Sequence, residues 1–520
     1  MVNSKIYLSK RIQFGGVIMS FEPEFTKINL SSEKGALCEQ LKVEVKTEIS
    51  TDEVAEVLSI SAFATVLENQ VDNGAVDYGG KVIFYLSYVD TEGSLKKCEC
   101  GSQFKGCIKD AIATDAHAYV TAKTVKCESD RSGVKLGVTA YVDVCVKLDG
   151  TVALDALAGG ENLVVESDEI TVLKGVGHKT LNFPVEEEFE LNYAVEEVLS
   201  HSANAVITMV QCGVNCIIVD GEVILSAILL QKGGKSDIIK EVKTLPFRAE
   251  IECEDAMPNM QAVARVSEKS FKTDVSVDEE NSKSTVFASV NLVFEGEAFT
   301  TDSVSVAKDA FSIEQEIELV KKETCYYKTC DLRSCSAVVT GRSAVNELPV
   351  GAIVLAVSGE RAEVVSKKCE GEDTIVAGVL TATGYFRDGD GKVFVQTLET
   401  PFECSLGCAF ECDVDLDIRA LAKRAKLKII SLTEVEIESE LCFTVYPAQK
   451  QNVCYVCEIK PLGEKRKNNA TVSVYIPCEG EELWSLAKRL NVCPDSLMQT
   501  NPELQFPLTG KERIVVYRQK

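Results

Sequence analysis

Residues 479–490 read Glu479-Gly480-Glu481-Glu482-Leu483-Trp484-Ser485-Leu486-Ala487-Lys488-Arg489-Leu490, which predicts a turn at Gly480 and a short amphipathic helix that begins at Glu481 and Glu482. Its leucines and alanine recur at helical spacing, so they form one apolar face. The glutamates come where the helix begins and the two cations come in its last turn, which suits the charges at the ends of a helix dipole. The pattern predicts a helix that lies on a small core.

Strands and a second helix are predicted on either side of this helix. Upstream, Val472, Val474 and Ile476 alternate with polar or aromatic residues, which is the period of a half-buried strand. Downstream, Pro494 suits the first turn of a second helix, because a helix leaves the amide of that position unbonded. Residues 513–517 read as a closing strand. We therefore predict the order strand, helix, helix, strand for residues 471–518.

This order of elements and the sequence motifs within it resemble those of the LysM family. The family's usual Gly-Asp-Thr-Leu-Trp corresponds here to residues 480–484, and its Asn-Pro corresponds to Asn501-Pro502. The resemblance implies a small βααβ domain, and it implies binding of N-acetylglucosamine polymers such as peptidoglycan or chitin. The chain departs from the pattern at Glu481-Glu482, and at Thr509-Gly510-Lys511 where the family has Pro-Gly-Gln.

The departures favour a protein partner over a glycan. In a LysM fold the loops 479–482 and 501–508 flank one shallow groove. Glutamates there add bulk and negative charge, whereas three apolar side chains in the second loop are typical of a protein interface. Two alternatives stay open: Trp484 only caps the small core, or Leu504 and Leu508 lie inside it. The predicted partner-binding residues are Glu479, Gly480, Glu481, Glu482, Trp484, Asn501, Pro502, Leu504, Phe506 and Leu508.

An internal repeat precedes this segment. Glu56-Val-Leu-Ser59-Ile-Ser61-Ala62 recurs as Glu197-Val-Leu-Ser200-His-Ser202-Ala203, and a weaker third copy is Asp331-Leu-Arg-Ser334-Cys-Ser336-Ala337. Each copy is followed by an alternating run and a glycine turn. Each then reaches an aromatic residue, at Phe104, Phe247 and Phe402. We expect these turns and phenylalanines to occupy equivalent positions in three similar units.

The repeat predicts a mainly β chain of tandem domains. Valine is abundant and glycine turns are regular. Residues 418–427 could form a short helix or a strand. We predict an N-terminal extension at 1–20, with Met19 a candidate start, and a polar linker at 461–470. The three β-rich domains are predicted at 21–165, 166–310 and 311–460, followed by the small α+β domain at 471–518.

Three such units before a LysM-like segment resemble the SPOCS-domain and LysM spore coat morphogenesis proteins of clostridia and other Firmicutes. The resemblance implies a scaffold in spore coat assembly, in the cytoplasm of the mother cell at the forespore surface. It also implies a partner, the coat-morphogenetic ATPase SpoIVA, and possible further coat proteins. A peptidoglycan-binding protein of the cell wall or spore cortex is the alternative.

Composition restricts the partners further. The 520 residues carry a net charge of −25, which disfavours nucleic acid and anionic membranes. We predict no membrane insertion, since the most apolar run, residues 205–230, is interrupted by polar side chains. An export signal is not predicted. The 21 cysteines are interpreted as buried free thiols of a reducing compartment, with crosslinking inside an assembled layer as the alternative. One Cys454-x2-Cys457 pair is weak support for zinc, so no metal or other cofactor is predicted.

Catalysis is not predicted. The repeated Ser-x-Ser lacks the Gly-x-Ser-x-Gly elbow of serine hydrolases, and only His201 lies near a copy. Serines two apart in a strand point to the same face, which accounts for Ser59 and Ser61 without chemistry. A phosphate-binding Gly-x4-Gly-Lys-Ser/Thr loop does not occur. The chain is therefore predicted to bind rather than to catalyse.

Overall fold

The computed structural model describes residues 22–72, 75–109, 116–233, 237–278, 280, 282–370, 373–408, 410, 414–465 and 471–517. Over these residues the chain forms 21 β-strands and two short α-helices, with one 3-10 turn at Thr51–Glu53. The prediction of a mainly β chain is confirmed. The predicted extension at 1–20 lies outside the described residues.

Unit 1 comprises two antiparallel sheets of three strands, in the orders β1-β6-β5 and β2-β3-β4. Its core contains alternate residues of the last strand, so the period of two that marks a half-buried strand is visible in the packing. The strands are β1 (Pro23–Ser50), β2 (Val54–Asp72), β3 (Ala75–Asp90), β4 (Leu95–Lys109), β5 (Ala116–Asp130) and β6 (Lys135–Gly160).

Unit 2 repeats this order of pairing, with sheets β7-β12-β11 and β8-β9-β10. A long first strand pairs with a long last strand, and a three-stranded meander lies between them in sequence. The strands are β7 (Leu163–Leu191), β8 (Val195–Cys212), β9 (Cys216–Gln231), β10 (Ile238–Glu252), β11 (Gln261–Asp278) and β12 (Lys283–Ser312).

Unit 3 has the same order, but its first strand is divided into two pieces that both pair with β19. The second sheet is β15-β16-β17, and β18 also pairs with β19. The strands are β13 (Gln315–Cys330), β14 (Arg333–Ala344), β15 (Ile353–Glu370), β16 (Asp373–Arg387), β17 (Val393–Ser405), β18 (Val414–Ser431) and β19 (Glu434–Glu464).

Two local predictions in unit 3 are settled by these strands. Residues 418–427 lie in β18, so the strand interpretation is confirmed and the helical one is wrong. Residues 461–464, predicted as linker, continue β19 and pair with β13 instead. The polar composition of the residues that follow them was misleading, because the end of a strand can be exposed and still be hydrogen-bonded. Residues 466–470 of the predicted linker lie outside the described residues.

The three phenylalanines occupy equivalent positions, as expected. Each lies opposite a glycine of the central strand of its sheet, in the pairs Gly80–Phe104, Gly221–Phe247 and Gly378–Phe402. A Cβ atom on any of these glycines would stand less than 3.0 Å from the ring and from a carbonyl oxygen of the neighbouring strand. The ring therefore covers bare backbone, which only glycine permits.

The third copy of the serine repeat was assigned to the wrong strand. Ser61 pairs with Tyr85, five residues after Gly80, and Ser202 pairs with Ser226, five residues after Gly221. The corresponding residue of unit 3 is Ser358, which pairs with Thr383, whereas Ser334 pairs with Thr444 on β19. The equivalent of the repeat is therefore Leu355-Ala356-Val357-Ser358, in which only one serine is kept.

The three units contact one another in a closed ring. Leu58, Leu199 and Tyr385, one from each unit, are buried in one apolar cluster. Ion pairs join successive units: Lys97–Glu197 at 3.2 Å, Lys240–Glu360, and Lys392–Glu56 at 2.9 Å. Because the third pair connects unit 3 back to unit 1, each unit has two neighbours.

The terminal module, residues 471–517, has the predicted order strand, helix, helix, strand. Its elements are β20 (Val472–Tyr475), α1 (Leu483–Leu490), α2 (Pro494–Thr500) and β21 (Ile514–Tyr517). The predicted core residues Leu486, Ala487, Leu490 and Leu497 are buried, together with Leu508, Ile514 and Val516. Phe311, from the end of β12 in unit 2, lies in the same cluster.

Candidate functional site

The first helix of the terminal module starts and stops where its sequence predicts. Glu482 is the N-cap residue and adopts an extended backbone, without a side-chain capping bond. Asn491 closes the helix in a left-handed conformation at φ 57°, which asparagine tolerates better than most residues. Lys488 and Arg489 lie in the last turn, where the helix dipole favours cations. The helix thereby fixes the loop before it and the contacts described below.

Glu481 is held inside the module rather than presented to solvent. Its carboxylate accepts two hydrogen bonds from the Arg489 guanidinium, both at 2.8 Å, and one from the Cys478 amide at 3.0 Å. These bonds lower the pKa of Glu481, and its side chain is only 9% exposed. A bidentate pair of this kind fixes geometry. Glu481 thus stabilises the loop–helix corner.

The two loops that flank the predicted groove are hydrogen-bonded to each other. The Gly480 amide donates to the Leu508 carbonyl at 2.7 Å, and the Leu508 amide donates to the Glu481 carbonyl at 3.0 Å. Glu479 and Thr509 form an isolated β-bridge beside them. Gly510 has φ 81° and a Cβ there would meet the Glu479 backbone at 3.2 Å, so glycine is required for this close approach. Part of the loop backbone is therefore already bonded internally.

Two of the predicted partner residues have structural roles. The Asn501 side chain donates to the Leu497 and Val515 carbonyls and accepts from the Val515 amide, at 2.7–2.9 Å. It therefore joins the end of α2 to β21. Leu508 is 1% exposed and belongs to the core, which is the alternative interpretation given above for this residue.

Leu504 and Phe506 are half-buried against the same core, and Pro502 is exposed. Leu504 thus partly fits the core alternative. What the two loops do present to solvent is mainly acidic. We call this the loop surface, formed by the exposed side chains of Glu479, Glu482, Pro502, Glu503 and Gln505.

Trp484 faces unit 2 instead of the loop surface. Its indole Nε1 donates to Asp309 at 2.8 Å, and its ring meets the Phe311 ring edge-on with centroids 5.2 Å apart. Trp484 therefore does more than cap the module's own core, because it anchors the module to the end of β12. Sequence reasoning missed Asp309 and Phe311, because no local pattern predicts a contact with a residue more than 170 positions later in the chain.

Asp309 makes several of the polar contacts at this junction between unit 2 and the terminal module. It accepts from Lys488 Nζ at 2.6 Å and lies 3.7 Å from Lys321 Nζ. Burial disfavours its charged form, but the bonds from Lys488 and Trp484 outweigh burial and lower the pKa of Asp309. Lys465 adds a bridge, since its ammonium donates to the Ser312 carbonyl and to Asn491 Oδ1, both at 2.7 Å.

Two residues of the repeat, Ser59 and His201, lie at junctions between units. Ser59 Oγ is 2.8 Å from the Tyr385 hydroxyl of unit 3. His201 has no hydrogen-bond partner on either ring nitrogen and is packed between Tyr85 and Phe271, with ring centroids 4.7 Å away on both sides. Its environment is thus an apolar contact between unit 1 and unit 2.

Cys38 and Cys145 are joined by a disulfide across β1 and β6, so the interpretation as free thiols is wrong for this pair. The sequence could not reveal it, because their partnership depends on strand register. Within the described ranges, groups of three or more His, Cys, Asp or Glu side chains suited to a metal ion do not occur. No described helix is long and apolar enough to cross a membrane.

Comparison with known proteins adds no relative: no protein-family model, no curated protein and no solved structure matches the chain. The candidate site therefore has to be interpreted from its own chemistry.

Proposed function

We propose that the chain is a non-enzymatic scaffold or adaptor of spore coat assembly around the forespore, in the mother cell of a clostridial type of Firmicute. In this proposal its terminal module is a LysM domain that binds a protein, the coat-morphogenetic ATPase SpoIVA. The three units take the part of SPOCS-like domains. The observation that carries the proposal is the acidic loop surface, which occupies the place where a LysM groove would hold sugar.

The chemistry of this surface favours a protein. A site for acetamido sugars needs exposed backbone groups and small polar side chains, because a neutral glycan is recognised by hydrogen bonds. Here the Gly480 and Leu508 amides are used between the loops. Glu479, Glu482 and Glu503 place negative charge at the rim. Such a rim suits a basic protein surface, since complementary charge raises association rate and specificity.

The attachment of the module supports an adaptor role. Asp309 and Phe311 hold the helix α1 side against unit 2, whereas the loop surface stays exposed. A partner bound at the loops would thus have a fixed orientation to the ring of three units. Because the loop surface is held rigidly, less conformational entropy is lost when a partner binds.

A binding experiment with purified SpoIVA tests the proposal. The full chain and the double variant Glu479→Lys/Glu482→Lys are compared by biolayer interferometry. Glu481 is left unchanged, because its loss would break the pair with Arg489. We expect the double variant to bind about tenfold or more weakly. The matched control is Glu187→Lys/Glu188→Lys, which makes the same charge change on exposed residues of unit 2.

A parallel arm tests the alternative function. The unmodified chain is titrated with chitin oligomers and with purified peptidoglycan. Binding of either, lost in the loop variant, together with no binding of SpoIVA, would replace the proposal with a peptidoglycan-binding function. Equal binding of SpoIVA by the loop variant and the unmodified chain would also contradict it.

A further inference from the structure

The two-stranded sheet of the terminal module leaves an apolar face open to solvent. Val472, Val474, Ile476 and Tyr517 are 51%, 61%, 70% and 64% exposed. Strand alternation explains the arrangement, because Ile514 and Val516 point to the core and their neighbours point away. The four side chains thus belong to one surface.

The register shows how these side chains are arranged. Val472 pairs with Tyr517 and Val474 pairs with Val515, and the next positions outward are Ile476 and Arg513. We call these six residues the sheet face. Five of its members are apolar, and the sixth is an exposed cation. Elsewhere in the described part of the chain, large exposed apolar side chains are mostly scattered among strand ends and loops. A grouped set of this kind is typical of an interaction site.

The fully exposed charged residues at the sheet face, Lys511 and Arg513, are positive, although the whole chain is strongly acidic. Arg513 lies within the face and exposed Lys511 lies two residues before it. The net charge of the chain is −25, so a basic and apolar surface contrasts with the rest of the molecule. It also contrasts with the loop surface of the same module, which is acidic.

We propose that the sheet face is a docking surface for an amphipathic, acidic segment of a partner protein. Apolar side chains of the segment cover the valines, the isoleucine and the tyrosine, and its carboxylates pair with Arg513 and Lys511. A second copy of this chain fits less well, because stacking two sheet faces brings their cations together. An anionic bilayer fits less well too, since the remaining surface is repelled by it.

The proposal goes beyond the proposed function, because it does not depend on what the loop surface binds. The two surfaces have opposite charge, and so they select different partners. An adaptor needs two such contacts to join two proteins. Loss of one contact by mutation should leave the other intact.

Fluorescence anisotropy with two labelled peptides tests this inference on the full chain. Both peptides are amphipathic helices of about 18 residues, or five turns, with the same leucine stripe. One carries glutamates beside the stripe, and the other carries lysines. We expect the glutamate peptide to bind, and Val474→Glu and Arg513→Glu to weaken it about tenfold or more. Ile476→Glu, which lies outside the strand pairing, repeats the test without a risk to the sheet.

Matched controls carry the same charge changes elsewhere. Val365→Glu replaces a valine that is 72% exposed in unit 3, and Arg424→Glu replaces an exposed arginine of β18. Both should bind the glutamate peptide like the unmodified chain. Trp484 emission in each variant reports that the module remains folded, because this is the only tryptophan of the chain.

Several results would overturn the proposal. These are no binding of either peptide, equal binding of the lysine peptide, or equal weakening by the Val365→Glu control. Flotation with phosphatidylserine vesicles that depends on Val474, without peptide binding, would assign the face to a membrane. Self-association in sedimentation equilibrium that depends on Val474, without peptide binding, would assign it to a second copy. The SpoIVA experiment has a separate outcome, since its variants leave the sheet face unchanged.

Discussion

The interior of each unit and the junctions between units are built differently. Inside all three units, a phenylalanine ring covers a glycine of the central strand, at Phe104, Phe247 and Phe402. At the junctions the residues differ from unit to unit. Ser59 of unit 1 meets the Tyr385 hydroxyl of unit 3, whereas His201 of unit 2 packs on the Tyr85 ring of unit 1.

This difference follows from what each place demands. A ring over bare backbone fixes both partners, because any Cβ on the glycine would collide with it. A junction only has to bury surface against a different neighbour each time, so different residues serve. Disruption of an interior contact should therefore cost more than disruption of a junction.

Truncation of the interior ring should give the largest effect. We expect Phe247→Ala to lower the free energy of unfolding by about 3–5 kcal/mol, because it leaves a cavity beside Gly221 and Phe294. Chemical denaturation followed by circular dichroism measures the change. Phe104→Ala and Phe402→Ala should cost similar amounts if the three contacts are equivalent.

The glycine side of the same contact provides a second measure. We expect Gly221→Ala to cost about 1–3 kcal/mol, since its methyl group would press on the Phe247 ring and the Val206 carbonyl. Gly159→Ala is the matched control, because no atom lies within 4 Å of a Cβ there. Equal losses for the two alanine variants would refute the close-packing argument.

The junction between unit 2 and the terminal module should be weaker. Asp309→Ala removes the acceptor for Trp484 and Lys488, and we expect it to cost about 1–3 kcal/mol of docking energy. Trp484 emission should shift to the red as the indole reaches water. Asp302→Ala, an exposed aspartate on the same strand, should leave the emission unchanged.

Acid should have the same effect as the Asp309→Ala substitution. The pKa of Asp309 is lowered in the folded chain, so its contribution is complete above the ordinary aspartate value of about 3.9. It is lost as the pH falls through the lower folded value. An emission shift between pH 7 and 5 that is absent in Asp309→Ala would contradict this assignment.

The sequence predicted the elements that local patterns define. The strand, helix, helix, strand order of the terminal module follows from alternation in residues 472–476 and from the spacing of Leu483, Leu486 and Leu490. The equivalence of the three phenylalanines was also predictable. Each ring recurs because the same steric constraint, a glycine beneath the ring, acts three times.

Contacts between distant residues were not predictable from those patterns. Trp484 was assigned to the partner-binding residues because helix periodicity does not predict which neighbouring element packs against the helix. Asp309 and Phe311 carry no local signal for that contact. Ser334 was matched to the repeat by amino-acid identity alone, whereas the strand pairing shows that the equivalent serine is Ser358. Register decides such questions, and a one-residue bulge changes it.

The smallest expected effect is at His201, whose equivalent position in unit 1 is Ile60. Burial, with a smaller effect of Lys97, lowers the pKa of His201 to about 4. Below about pH 6.5, the ordinary pKa of histidine, the unfolded chain therefore binds a proton at residue 201. The folded chain does not bind this proton until the pH is much lower. Stability should fall as the pH decreases from that value towards 4.

Two reciprocal variants, measured by urea denaturation at pH 7.5 and pH 5, test this assignment. His201→Ile should remove about 1–2 kcal/mol of destabilisation at pH 5 and change little at pH 7.5, because isoleucine does not titrate. Ile60→His should add a similar loss at pH 5, since residue 60 is also half-buried. If His201→Ile keeps the full pH dependence of the unmodified chain, the proton is excluded elsewhere, and the junction between unit 1 and unit 2 is not the acid-sensitive one.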